Sequence, residues 1–214
     1  MKTGTAEVLN DLLSRYPALE KCEASILDAY KLLIGAVQNK GLILVCGNGG
    51  NASDAEHIVG ELMKSFVLER PIPSEEKTLL RQYGEIGADL ADHLQGTIPS
   101  VALVSGIPLS TAISNDIGSE YVFAQKVYGL ADENSVLVAL STSGNSVNCM
   151  YAAVTAKLKG CPVLVLTGER EGKLANMGDV VIKAPAKLTH EIQEYYLPIY
   201  HALCAMLETE VFGA

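Results

Sequence analysis

Two N-terminal stretches, about Ala6 to Ser14 and about Leu19 to Asn39, space their apolar residues as helices do, with Ile26, Tyr30, Leu33 and Val37 marking the second stripe. Residues 1–40 therefore read as a helical segment whose apolar face needs a partner. From Gly41 the pattern changes to short apolar runs at Leu42–Cys46, Val101–Val104, Val136–Leu140, Val163–Leu166 and Val180–Ile182, separated by glycine or serine loops and helical stretches. This is the rhythm of an α/β fold with a parallel sheet. The runs show little polar alternation, as strands do when helices cover both faces. The expectation is a doubly wound five-stranded parallel sheet of flavodoxin-like order, closed by a long C-terminal helix from about Thr189 to Val211.

A polar segment, residues 71–99, separates the helix after the first strand from the second strand, and it is long for a simple connection. Leu79, Leu80, Tyr83, Ile86, Leu90 and Leu94 are spaced for one or two short amphipathic helices, so the segment reads as an ordered excursion that docks on the body or on another subunit. Residues 1–214 are expected to form a single domain, a length that permits one sizeable core.

Composition narrows the function. A formal charge of −9 argues against nucleic acid and anionic membrane as partners, both of which favour a basic face. An anionic small molecule remains compatible, because backbone N–H groups at a helix start attract it whatever the net charge. Residues 1–10 lack a basic stretch followed by an apolar run, and no apolar segment approaches bilayer length. Five scattered cysteines, Cys22, Cys46, Cys149, Cys161 and Cys204, read as reduced core residues, and the expected location is cytoplasmic.

In a doubly wound sheet the loops after the first and third strands border the ligand crevice. After the first comes C-G-N-G-G-N-A-S-D-A-E-H, residues 46–57, whose glycines permit close backbone approach at a helix start. It lacks a Walker lysine, and Ala52 stands where a dinucleotide fingerprint needs its last glycine. After the third comes L-S-T-S-G-N-S, residues 140–146, where Ser141, Thr142, Ser143 and Ser146 surround the bend at Gly144 and form a hydroxyl-lined cup suited to phosphate. Helix capping is the alternative, and it accounts for one or two of these residues. Farther on, His57 and Glu61 share a helix face one turn apart. On the last helix Gln193 and His201 lie eight residues apart, about 12 Å along the axis.

Taken in order, C-G-N-G-G, D-A-E-H with Glu61-Leu62, Asn115-Asp116, S-T-S-G-N-S, L-T-G with G-K-L, and I-Q-E with His201 eight residues after Gln193 resemble the phosphoheptose isomerase pattern of the sugar isomerase (SIS) fold. The resemblance runs from about Leu12 to Leu207, interrupted by 71–99. It implies interconversion of sedoheptulose 7-phosphate and an aldose heptose 7-phosphate, with Glu61 and His201 as the acid/base pair. It further implies that Asn48, Gly49, Gly50, Glu61, Asn115, Asp116 and Gln193 contact the sugar and that Ser141, Thr142, Ser143 and Ser146 hold the phosphate. His57, Glu61, Gln193 and His201 are implied as ligands for zinc. The helical separation of Gln193 and His201 strains a site made by one chain, in keeping with the family's homotetramers and interfacial active sites.

Three departures stand beside the match: Asn51 where the family usually has serine, His190 where it usually has aspartate, and the 71–99 segment. Two alternatives remain open at this level. One is a non-catalytic relative acting as a sugar-phosphate sensor or a partner of the replication initiator; the other is an isomerase of a different phosphosugar.

Overall fold

In the computed structural model, which describes residues 1–213, α1 (Thr3–Arg15) and α2 (Glu23–Gln38) are joined by a 3-10 turn over Pro17–Cys22. The second helix starts later than its apolar spacing suggests. Pro17 disfavours helical backbone at Tyr16, which sits at φ −130° and ψ 74°, and the chain tightens before α2 begins.

Five strands follow: β1 (Ile43–Gly47), β2 (Ser100–Ala102), β3 (Val136–Leu140), β4 (Val163–Gly168) and β5 (Val180–Ala184). They pair in parallel in the order β2-β1-β3-β4-β5, the flavodoxin-like order expected from the sequence. The interleaved helices are α3 (Gly50–Met63), α4 (Ser74–Arg81), α5 (Gly84–His93), α6 (Ile107–Asp116), α7 (Val122–Leu130), α8 (Val147–Leu158) and α9 (Thr189–Phe212).

The sheet divides two cores. Ile43, Val45, Val136, Val138, Leu140, Leu164 and Leu166 face α1, α2, α3 and α9, whereas Leu44, Cys46, Leu137, Ala139, Val163 and Val165 face α7 and α8. Successive strand residues thus bury on opposite sides, which explains the absence of polar alternation. All five cysteines are free and buried. No helix among the described residues is long and apolar enough to cross a membrane.

The 71–99 excursion contains α4 and α5, packed chiefly against each other and clasped by Arg81 Nη2 donating to Asp92 Oδ1 at 2.8 Å. Its base is fastened to the body. Pro71 bridges Gln95, Gly96 N–H donates to Arg70 O, and Ile98 N–H donates to Leu62 O at 2.9 Å. Docking on the body is therefore confined to this base, and Leu79, Tyr83, Ile86, Leu90 and Leu94 are exposed.

Candidate active site

The first loop turns from β1 into α3. Gly49 has φ +59°, and a Cβ on Gly50 would lie 2.6 Å from Gln193 Nε2, so this position accepts no side chain without moving the glutamine. Gln193 Nε2 donates to Oδ1 of buried Asn51 at 3.0 Å, so one departure from the family pattern locks α9 onto the start of α3. Asn48 and Asn148 exchange reciprocal amide bonds of 2.8 and 2.9 Å, tying this loop to α8. Asn148 was not among the candidates from sequence, where a lone asparagine carries no signal.

Two turns farther along α3 the titratable groups meet. His57 Nε2 lies 3.1 Å from Glu61 Oε1 and 3.3 Å from His201 Nε2. Lys64 Nζ donates to the other oxygen of Glu61 at 3.0 Å. Burial, then the neighbouring His57, pulls the His201 pKa below its ordinary value, favouring a neutral ring. Phe66 leans on His201 with ring centroids 5.4 Å apart. A groove of about 470 Å³ opens beside His201 between α1 and α9, with Arg15, Tyr16, Phe66 and Pro198 in its wall. That volume falls in the range of small-molecule sites.

A buried ion pair underlies this cluster. Arg70 Nε donates to Glu208 Oε1 at 2.6 Å, and its other nitrogens donate to Leu62 O at 2.8 Å and Glu61 O at 3.0 Å. Glu208 also accepts the N–H groups of Phe66, Val67 and Leu68. Burial pushes the Glu208 pKa up, but those N–H groups and Arg70 outweigh it and hold it below its ordinary value. The pair thereby sets the end of α3 and the bent exit that carries Phe66.

In the second loop, Gly144 has φ +64° and packs so closely on Gly172 that a Cβ would lie 3.0 Å from the Gly172 Cα. Ser146 stands at the N-cap of α8, yet it makes no side-chain cap bond; its hydroxyl pairs with Ser141 Oγ at 2.9 Å. Capping therefore does not account for Ser146, while Ser143 Oγ accepts the Asn145 N–H at 3.2 Å within the turn. Ser143 is exposed, Thr142 is half-buried, and the buried Thr167 Oγ1 beneath the bend has no hydrogen-bond partner among the described residues.

Other candidates are placed less centrally. Asn115 Nδ2 donates to Asp116 Oδ1 at 2.9 Å, and both are exposed at the end of α6. His190 is exposed at the start of α9. Gln193 lies beside Gly50, whereas His201 lies beside His57; α3 and α9 run parallel, so the eight-residue separation on α9 is matched along α3. Three of the four implied metal ligands thus converge in one chain, while Gln193 donates to Asn51 beside the glycine-rich loop.

His57, Glu61 and His201 offer ligand atoms within 4.8 Å of one another. A tetrahedral zinc with bonds of about 2.0–2.2 Å keeps its ligands about 3.3–3.6 Å apart, and the His57 Nε2 separations of 3.1 Å from Glu61 Oε1 and 3.3 Å from His201 Nε2 are close to that, so two imidazoles and a carboxylate suit the ion.

A family profile described as SIS domain matches residues 7–96 and 80–168. A phosphoheptose isomerase of Alkalilimnicola ehrlichii is 35% identical over 199 residues, covering 92% of this chain and 89% of that protein. Among solved structures, a phosphoheptose isomerase of Neisseria gonorrhoeae superposes with a TM-score of 0.70 at 29% identity, covering 96% of this chain and 94% of its own. One from Francisella tularensis superposes with a TM-score of 0.75 at 26% identity, covering 97% of this chain and 100% of its own.

Proposed function

The chain belongs to the phosphoheptose isomerase family of SIS-domain proteins, and from that premise we propose that it interconverts sedoheptulose 7-phosphate and D-glycero-D-manno-heptose 7-phosphate. The observation that carries this reading is the meeting of Glu61, His57 and His201 on parallel α3 and α9, beyond a glycine-rich loop.

Aldose–ketose isomerisation moves a proton between adjacent carbons through an enediol, which requires a base at carbon, an acid at oxygen and an anchored phosphate. Glu61, half-buried and held by His57 and Lys64, takes the carbon-bound proton and returns it to the neighbouring carbon. His201 exchanges a proton with the carbonyl and hydroxyl oxygens. When bound by His57, Glu61 and His201, zinc would supply Lewis-acid polarisation of the carbonyl. Gln193 is assigned to this ligand set or, from its place above Gly50, to the sugar with Asn48, Gly49 and Gly50. Asn115 and Asp116 are assigned to sugar hydroxyls, and Ser141, Thr142, Ser143 and Ser146 to the phosphate.

The functional unit is proposed as a cytoplasmic homotetramer whose partner copies complete each site. Supporting features are the exposed apolar side of α4–α5 and the buried, unpaired cysteines.

The test is to follow sedoheptulose 7-phosphate by NMR with purified protein, with and without zinc or chelator. Glu61→Gln is expected to lower kcat by about 10²–10⁴-fold while leaving phosphosugar binding in place, as loss of a general base does. Binding without turnover in the unaltered protein would instead support the sensor reading.

A further inference from the structure

Besides Lys64 and Phe66, the cluster is touched by Tyr200, which belongs to neither the acid/base nor the ligand set. Tyr200 is buried, and its hydroxyl lies 2.9 Å from His57 Nδ1 and 3.4 Å from Asp54 Oδ1. Its ring meets His57 edge-on, with centroids 5.5 Å apart and planes 72° apart, and meets His201 edge-on at 5.0 Å. The Nδ1 side of His57 is therefore engaged, and the other nitrogen is aimed at Glu61 and His201.

We propose that Tyr200, backed by Asp54, is a positioning residue that holds the His57 ring in place and lets it present either a proton or a lone pair to the cluster. A phenol donates one hydrogen and also accepts, so it serves either imidazole tautomer. With its hydrogen turned to Nδ1, the His57 proton sits on Nε2 and donates to Glu61 Oε1 across 3.1 Å. With its hydrogen turned to Asp54, the phenol oxygen accepts from Nδ1–H, and Nε2 presents its lone pair to a cation. The ring carries one proton in both states, so its charge is unchanged. Asp54 matters in the second state because a carboxylate makes the stronger, charge-assisted acceptor. A phenylalanine in place of Tyr200 fills the same space but leaves Nδ1 without its partner.

The inference rests on the isomerase reading for its consequence in turnover, yet its primary readouts need no substrate. Zinc affinity, measured by competition with a chromophoric chelator, is expected to fall about 10–100-fold in Tyr200→Phe, the usual effect of losing a group that orients a metal-binding histidine. Asp54→Asn is expected to weaken zinc binding in the same direction. Affinity for inorganic phosphate, assigned above to the second loop, is expected to stay unchanged, as is KM when kcat falls. In metal-free protein labelled with 15N-histidine, the ring-nitrogen shifts of His57 are expected to differ between Tyr200→Phe and the unaltered chain, while those of exposed His190 coincide. Unaltered zinc affinity in Tyr200→Phe would overturn the proposal. Should the unaltered protein take up no zinc, the metal assignment fails separately and the metal-free His57 shifts decide: a change supports the positioning role, and identical shifts refute it.

Discussion

Lys64 and Gly144 touch the site with opposite consequences. Lys64 is exposed, and its bond to Glu61 is a surface ion pair, so Lys64→Met is expected to cost under about 1 kcal/mol of stability in urea titrations. Gly144 is confined by its φ of +64° and by the Gly172 backbone, leaving no room for a methyl group. A left-handed residue with a Cβ costs about 1–2 kcal/mol, and the steric conflict displaces the loop as well. Gly144→Ala is therefore expected to weaken inorganic phosphate binding at least about tenfold while the far-ultraviolet circular dichroism stays native. These differences are only partly legible in the sequence: the serine cluster around Gly144 suggests a candidate anion loop, but nothing at Gly172 marks it as the surface against which the loop closes.

At the scale of elements, two acidic groups on α9 fasten other segments. Arg70 and Glu208 are both buried, and removing one partner leaves an unpaired charge, so Arg70→Met is expected to destabilise the protein by about 3–5 kcal/mol in urea unfolding. Replacing both residues with apolar ones does not restore full stability, because the N–H groups of Phe66, Val67 and Leu68 then lose their acceptor. Glu210 ties α1 to α9 by accepting from the Lys2 N–H at 2.8 Å and the Thr5 hydroxyl at 2.7 Å. These two bonds hold its pKa down to about 2, from an ordinary 4.5. A depressed carboxylate pKa contributes stability above the unfolded-state value, and that contribution is lost as pH falls through the folded-state value. Amide exchange protection of α1, relative to Glu210→Gln, is thus expected to decline between about pH 4.5 and pH 2. The spacing of α1 and α2 was readable from their apolar stripes, whereas the fastening of the Phe66 segment was not, since Arg70 and Glu208 are 138 residues apart.

For the whole molecule, the isolated chain leaves a face of α4–α5 uncovered, with Tyr83 78% and Ile86 76% exposed. Large apolar side chains clustered this way mark interaction surfaces, and the proposed homotetramer supplies the occupant. Sedimentation is expected to show a tetramer, and Tyr83→Asp with Ile86→Asp to shift it toward smaller species with loss of turnover. A monomer of undiminished activity would remove the case for shared sites.

The linear order of residues determined the sheet, its flavodoxin-like order and the two loops at its ligand edge, because each follows from local periodicity and from how βα units must wind. It also supplied Glu61, His57 and His201 as candidates by residue type, spacing and resemblance. Only the tertiary structure decided which groups meet. The parallel packing of α3 and α9 brings His201 to His57, sends Gln193 to Gly50 and inserts Tyr200 between Asp54 and His57. The physical reason is that hydrogen bonds and ion pairs act across a few ångströms of space, while hydrophobic periodicity, the strongest signal in a sequence, reports which face of an element is buried and not what it is buried against.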